Sequence, residues 1–291
     1  MPDNTQINRI LMVSIITINY NNKLGLEATI ESVQNQSSEL FEHIIIDGGS
    51  DDGSKEVMQQ HLNSFNYWIS EADQGVYHAM NKGIDQASGN FLLFLNSGDT
   101  FYSSSSLEQI SPFLKLDFDI IYADVMLRLD EGNITIQTHP DPLSFSYFMK
   151  RTLCHQSTLI KKSLFETYGY YNTDYKIISD WEFFIKRIFL NHAACMKVNQ
   201  ILSIYDMNGM SANHENYPLI VEERRDVLNK NFKGFLNDYE RAKSYEDQLD
   251  YIDKKIGDQF INLLRRPFYL KVQKIFTKCF SFFYKLKDSK S

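Results

Sequence analysis

The chain has 291 residues, 43% of them hydrophobic, and a formal net charge of -7. That is enough apolar material for one large packed domain, or for a domain with an appendage, and marks a globular protein. Cys154, Cys195 and Cys279 show no CxxC spacing, which argues against a zinc site or a disulfide framework and fits a reducing compartment.

In chain order, MPDNTQINRI is polar and the apolar LMVSIITI behind it is short, so no secretory leader is expected and the chain is placed in the cytosol. LMVSIITI itself predicts a strand over 11–18, short and β-branched as a strand buried on both faces should be. After the turn NYNN, Leu26, Ile30 and Val33 recur at helical spacing. FEHIIID then predicts a second buried strand that runs into the turn DGGSDDGS. A helix from Lys55 to Leu62, the strand YWIS, a helix across GVYHAMNKGIDQAS and the strand FLLFL complete the first half. This alternation predicts an α/β fold: a Rossmann-like, mostly parallel sheet with helices on both faces and ligands at the carboxyl ends of the strands.

Residues 118–138 break the rhythm and read as a hairpin around Asp130-Glu131-Gly132-Asn133. Beyond it come the strand STLI, a helix from Lys162, and the helix SDWEFFIKRIFL. In that last segment Ser179 and Glu182 have capping-box spacing, which puts Asp180 in the first helical turn, where the helix dipole favours an ionised carboxylate. After Asn213 the sequence becomes helical and polar, and the expected division is one domain over 1–215 and a helical C-terminal extension over 216–291.

Charge divides the chain along the same line. From Lys254 to Ser291 ten basic side chains stand against Asp258 and Asp288, about +8, which leaves about -15 for the rest. Residues 263–287 interleave these bases with bulky aromatics but contain no run of about twenty apolar residues. Such a segment suits an interfacial helix on an anionic membrane surface, and packing on the domain or on a second subunit is the other reading. The acidic body and the lack of a recognition motif argue against nucleic acid.

Three polar turns, Asn19-Tyr20-Asn21, Asp47-Gly48-Gly49-Ser50 and Asn96-Ser97-Gly98-Asp99, should meet at one edge of the sheet. The first turn, NYNNKLG, lacks the small residues through which a dinucleotide's pyrophosphate reaches the backbone, so a nicotinamide cofactor is not expected. Without that cradle a diphosphate needs other charge compensation, and a divalent cation at Asp99 supplies it.

Taken together, SIITINYNN, HIIIDGGSDDGS, YWISEADQGVYHAMNKGID, FLLFLNSGD, HQSTLIKKSLF and SDWEFFIKR resemble, in order, the inverting family-2 glycosyltransferases of GT-A fold that build bacterial O-antigen and exopolysaccharide. The resemblance implies a metal-dependent transferase that takes a hexose, glucose first among them, from a UDP-sugar and passes it to a polyprenyl-diphosphate-linked glycan at the inner face of the cytoplasmic membrane. It implies Mn²⁺ or Mg²⁺ at Asp99, in a motif that keeps one carboxylate of the commoner Asp-Ser-Asp-Asp, with the cation acting as a Lewis acid toward the leaving diphosphate. Asn19, Tyr20 and Asp47 would surround the uracil and ribose, and Asp73 and Lys82 would lie near the donor. Asp47 can instead shape its turn, Asp73 can cap a helix, and Lys82 can belong to a solvated helix face. Asp180 would be the general base of a single in-line displacement. His155 and Gln156 would line the acceptor or diphosphate region, with His214 a further metal or phosphate contact. A catalytically silent scaffold that binds nucleotide or glycan within a complex is the alternative.

Overall fold

The computed structural model describes residues 13–36, 41–129, 133–207, 209 and 213–264. The chain divides into two compact units, Met1–Asn231 and Phe232–Ser291.

The first unit opens with β1 (Val13–Asn19), α1 (Lys23–Gln34), β2 (Phe41–Asp47), α2 (Ser54–Gln60), β3 (Tyr67–Ser70), α3 (Val76–Gln86) and β4 (Phe91–Phe94). Every residue of β1 and β4 is buried, which is why these strands are continuously apolar rather than alternating. The four pair in parallel in the order β3-β2-β1-β4. Two core clusters share one face of the sheet: Leu26, Ile30, Val57 and Met58 cover Ile45, while Leu107, Ile110 and Leu114 pack with Ile15, Leu93 and Leu95. The parallel sheet flanked by helices matches the sequence expectation.

The second half extends the sheet with mixed polarity. Its elements are β5 (Thr100–Phe101), α4 (Ser106–Ile110), β6 (Ile120–Arg128), β7 (Ile134–Gln137), α5 (Phe145–Lys150), β8 (Thr158–Lys161), α6 (Lys162–Tyr168), α7 (Ser179–Phe189), β9 (Cys195–Asp206) and α8 (Tyr217–Asn231). Strand β8 runs antiparallel between β4 and β6, and β6 pairs with β9 in parallel. The hairpin forms as expected, with Val125 opposite Gln137 and Arg128 opposite Ile134; its turn, residues 130–132, lies outside the described residues. The β6–β9 register shifts around Asp124, and beyond that irregularity β9 pairs with β5 and ends at Asp206, beside the tip of β4.

Two local expectations are corrected. Ser179 does not cap α7: the cap is Ile178, the Ser179 hydroxyl has no partner among the described residues, and Glu182 pairs instead with Lys186 one turn on. The boundary expected at residue 215 falls after Asn231, because α8 is locked into the first unit. Glu223 accepts the backbone N–H groups of Lys176 and Ile177, and Tyr175 donates to Asp226 at 2.6 Å.

The second unit holds α9 (Lys233–Leu264), on which the exposed Tyr245, Leu249, Ile252 and Ile256 recur along one face. The basic aromatic segment beyond Leu264 lies outside the described residues. Among the described residues, no helix is long and apolar enough to cross a membrane.

Candidate active site

The first two turns are laced together by Asp47. This carboxylate is fully buried and accepts from Asn19 Nδ2 (2.7 Å), Ser70 Oγ (2.6 Å), the amides of Gly49 and Ser50, and Ser50 Oγ. Burial alone would raise its pKa; the Ser50, Ser70 and Asn19 hydrogen bonds overcome that and hold it below the ordinary value. With five donors on two oxygens, Asp47 has no capacity left for a uracil N–H and shapes the turn instead. Asn19 is likewise buried, although its Oδ1 has no partner among the described residues.

What this turn presents to solvent is Tyr20, 68% exposed, beside Asp73. Gly48 makes their approach possible: a Cβ there would stand 2.6 Å from Asp73 Oδ2 and 3.2 Å from the Tyr20 ring. Asp73 also accepts from the Gly75 amide at 2.8 Å, at the start of α3. Lys82, on α3, is engaged by Glu71 at 2.6 Å.

The third turn is tied to the first by Asn22, whose Nδ2 donates to the Ser97 carbonyl at 3.0 Å. Gly98 takes φ +101°, a conformation that L side chains rarely adopt, and so lets the chain reverse and bring Asp99 inward. Asp99 is 3% exposed and accepts the Asp206 amide at 2.9 Å. Burial pushes its pKa up to about 7, opposed by the Asp206 amide, His155 and Gln156 and reinforced by the Asp206 charge. The Asp206 carboxylate comes within 3.4 Å of where a Gly98 Cβ would stand. Sequence reading missed Asp206 because nothing local links the end of β9 to the tip of β4.

Asp180 lies in the first turn of α7, as expected, with its side chain 15% exposed. Tyr77 of α3 donates toward Oδ1 (2.9 Å) and His155 Nδ1 lies 3.3 Å from Oδ2. On the far side of the imidazole, Nε2 is 3.2 Å from Asn96 Nδ2. With Asn96 donating there, the ring hydrogen resides on Nδ1 and points at Asp180. Burial would raise the Asp180 pKa, but the hydrogen bonds from His155, Tyr77 and the Trp181 amide bring it below the ordinary carboxylate value. The carboxylate is therefore ionised at neutral pH and still reachable.

His155 and Gln156 thus connect the two acids: His155 holds Asp180, and Gln156 is a hydrogen-bond partner of Asp99. A cavity of about 310 Å³ opens beside Asp180, lined among others by His155, Gln156, Trp181 and Tyr205. His214 stands apart, exposed in the turn His214–Asn216 with no side-chain hydrogen bond or ion pair among the described residues. Tyr77 carries no sequence signal of its own; it is recognisable only once α3 and α7 are seen to meet.

As a cation site the tip of β4 is sparse. Among the described residues no three His, Cys, Asp or Glu side chains group to hold a metal. The Asp206 amide bonds Asp99 and the Asp206 charge acts on it, and two carboxylates in that neighbourhood would suit a hard divalent ion that takes its remaining ligands from water and a diphosphate.

Polar turns and a buried carboxylate at the carboxyl ends of parallel strands mark the usual ligand edge of an α/β protein, and the profile of glycosyl transferase family 2 matches residues 14–173. The chain belongs to that family. It is 32% identical over 207 residues to the PGL/p-HBAD biosynthesis glycosyltransferase of Mycobacterium tuberculosis, covering 69% of this chain and 79% of that one. It is 27% identical over 147 residues to the putative teichuronic acid biosynthesis glycosyltransferase TuaG of Bacillus subtilis, covering 49% and 58%. Among solved structures its fold is similar to S. aureus TarS 1-349 in complex with UDP-GlcNAc, with TM-score 0.59, 17% identity and 75% and 67% of the two chains covered. It spans 36% of the longer TarS chain. The mannosyltransferase PcManGT of Pyrobaculum calidifontis, in complex with GDP-Man and Mn²⁺, shares the fold at TM-score 0.54 and 13% identity, covering 69% and 58%.

Proposed function

We propose that this chain transfers a hexose from a UDP-sugar to a hydroxyl of a lipid-linked glycan, with inversion, during bacterial surface-polysaccharide assembly. Glucose is the first donor sugar to test. The observation that carries the reading is the His155–Gln156 clasp, which joins an ionised, reachable Asp180 to the buried acid Asp99.

Asp180 takes the proton of the acceptor hydroxyl, and that oxygen attacks the anomeric carbon from the face opposite the leaving diphosphate through an oxocarbenium-like transition state. Tyr77 has one hydroxyl hydrogen and two acceptors in reach, Asp180 Oδ1 and, at 2.6 Å, the Ile177 carbonyl. It donates to Asp180 while the carboxylate is charged. Once Asp180 is protonated, Tyr77 swings its hydrogen to Ile177 and accepts from the new acid. Tyr20 offers a face for uracil, with Asp73 beside it, while Asn19 and Asp47 hold the turn. Lys82 acts through Glu71, and His214 remains a candidate phosphate contact. Mn²⁺ or Mg²⁺ held by Asp99 and Asp206 would neutralise charge on the departing UDP. The basic segment beyond Leu264 places the enzyme on the anionic inner face of the cytoplasmic membrane.

The sparse cation site favours one alternative, a catalytically silent scaffold that binds nucleotide or glycan. Incubation with UDP-glucose, Mn²⁺ and a polyprenyl-diphosphate sugar separates the two. The enzyme releases UDP, and Asp180→Asn lowers that release about a thousandfold while UDP still binds. Equal release by wild type and Asp180→Asn would discard the assignment.

A further inference from the structure

In the cavity beside Asp180 stand two arginines that the transfer reaction as written does not use. Arg224 comes from α8 and its guanidinium lies 4.9 Å above the Trp181 ring. Arg151 follows α5 directly. Among the described residues neither makes a side-chain hydrogen bond or ion pair, and Arg224 Nε is buried without a partner. Six lysines of this unit, Lys82, Lys161, Lys162, Lys186, Lys197 and Lys230, pair with carboxylates. What sets Arg224 and Arg151 apart is their place: both line one cavity beside Asp180 without a hydrogen bond or ion pair among the described residues, in a chain with a surplus of acids.

We propose that Arg224 and Arg151 form a recognition site for an oxyanion carried by the acceptor, so that this enzyme glycosylates an acidic acceptor rather than a neutral one. The inference rests on the reading of Asp180 as the base that marks the acceptor side. A neutral acceptor filling the cavity would close over the guanidinium fork that lines it and leave its N–H groups without a partner, an arrangement proteins avoid. A carboxylate or phosphate satisfies it, because the planar guanidinium fork matches either geometry with paired hydrogen bonds. The stacking on Trp181 fixes the plane of the fork before ligand arrives. Asp180 adds the need for such a site: its charge repels an anionic acceptor, and Arg224, within electrostatic reach of it but not paired with it, offsets that repulsion and leaves the base its lone pairs. The donor-side residues Tyr20, Asp73 and Asp99 do not line this cavity, which separates it from the nucleotide.

The oxyanion has two sources, a uronic acid in the glycan or the phosphate that joins glycan to lipid, and binding distinguishes them. The full chain is titrated calorimetrically, with saturating UDP, against methyl β-D-glucuronide and methyl β-D-glucoside, and against citronellyl diphosphate and citronellol. The expected result is that at least one charged probe binds about tenfold or more tightly than its neutral counterpart, and that Arg224→Gln and Arg151→Gln each erode the preference. Preference for the glucuronide names the glycan as the source, and preference for the diphosphate names the lipid link. UDP affinity stays unchanged in both variants, which also reports that they fold; Arg224→Lys retains part of the preference. A charge preference that survives in the double variant overturns the proposal, as does loss of UDP affinity in step with the arginines. Failure of every charged probe to bind at about 10 mM overturns it too. Asp180→Asn separates this inference from the assignment of the base: it leaves oxyanion binding intact or tighter even if transfer proves not to depend on Asp180.

Discussion

Tyr77 is where a single atom tunes the proposed chemistry. Its hydroxyl stabilises the charged form of Asp180, so Tyr77→Phe should raise the Asp180 pKa while the ring still packs on Tyr171. A base is active only when deprotonated. With cation and UDP-sugar saturating, so that Asp99 is held ionised, the acid limb of kcat for UDP release lies below the ordinary carboxylate value in the wild type and moves to higher pH in Tyr77→Phe, with kcat reduced on the order of tenfold. An unmoved limb would remove Tyr77 from the mechanism. Gly48 gives a second test at this scale. Its φ is an ordinary one and the nearest obstacle is the end of the Asp73 side chain, so Gly48→Ala should fold normally yet push Asp73 and Tyr20 apart. UDP affinity should fall about tenfold in a calorimetric titration, with the melting temperature little changed. The residues that became visible only in three dimensions, Tyr77, Asp206 and Arg224, share one property. Each acts on a residue remote in sequence: Tyr77 reaches Asp180 across 103 positions, and the Asp206 amide reaches Asp99 across 107.

Among the elements, α3 links the strand tips of the parallel sheet to Asp180. It carries Tyr77 toward α7 and, at Gly83, lies so close to β1 that a Cβ would stand 2.4 Å from Ile16 Cγ2. Ile16 is fully buried and cannot retreat. Alanine normally strengthens a helix, yet overpacking against a rigid strand outweighs that gain. Gly83→Ala should cost roughly 1–2 kcal/mol of stability in urea unfolding. Periodicity predicted α3, and the apolar runs predicted β1, β2 and β4, because burial on one or both faces writes itself into local sequence. The cap of α7 was misread for the converse reason. Its N-terminal geometry is imposed by Glu223 from α8, which grips the 176 and 177 amides, and Ser179 has no say in it.

For the molecule as a whole, α8 decides where the catalytic unit ends. A chain stopped at residue 231 should fold and bind UDP with unchanged affinity, since the first unit closes at Asn231. A chain stopped at residue 215 loses Glu223, Arg224 and Asp226 and with them the support of the segment that delivers Asp180; UDP release should drop at least about a hundredfold while nucleotide binding, on the other edge, persists. Equal activity of the two truncations would place α8 outside the catalytic unit. Composition placed the change of character near residue 215 because α8 is polar, with a largely exposed surface. Its few inward groups, Glu223, Val227 and Leu228, are too sparse to stand out from that surface.

The sequence alone determined the parallel α/β half of the chain and the polar turns, with Asp99 in one of them, because hydrophobic period and turn chemistry are local properties; Asp180 stood out through the family resemblance of SDWEFFIKR. Tertiary structure decided that Asp47 is spent on its own turn, that the Asp206 amide meets Asp99, that His155 and Gln156 link Asp180 to Asp99, and that two arginines unpaired among the described residues line the cavity beside Asp180. Those outcomes depend on which distant groups meet and on how many lone pairs and N–H groups are left over when they do, and that balance exists only once the chain has packed.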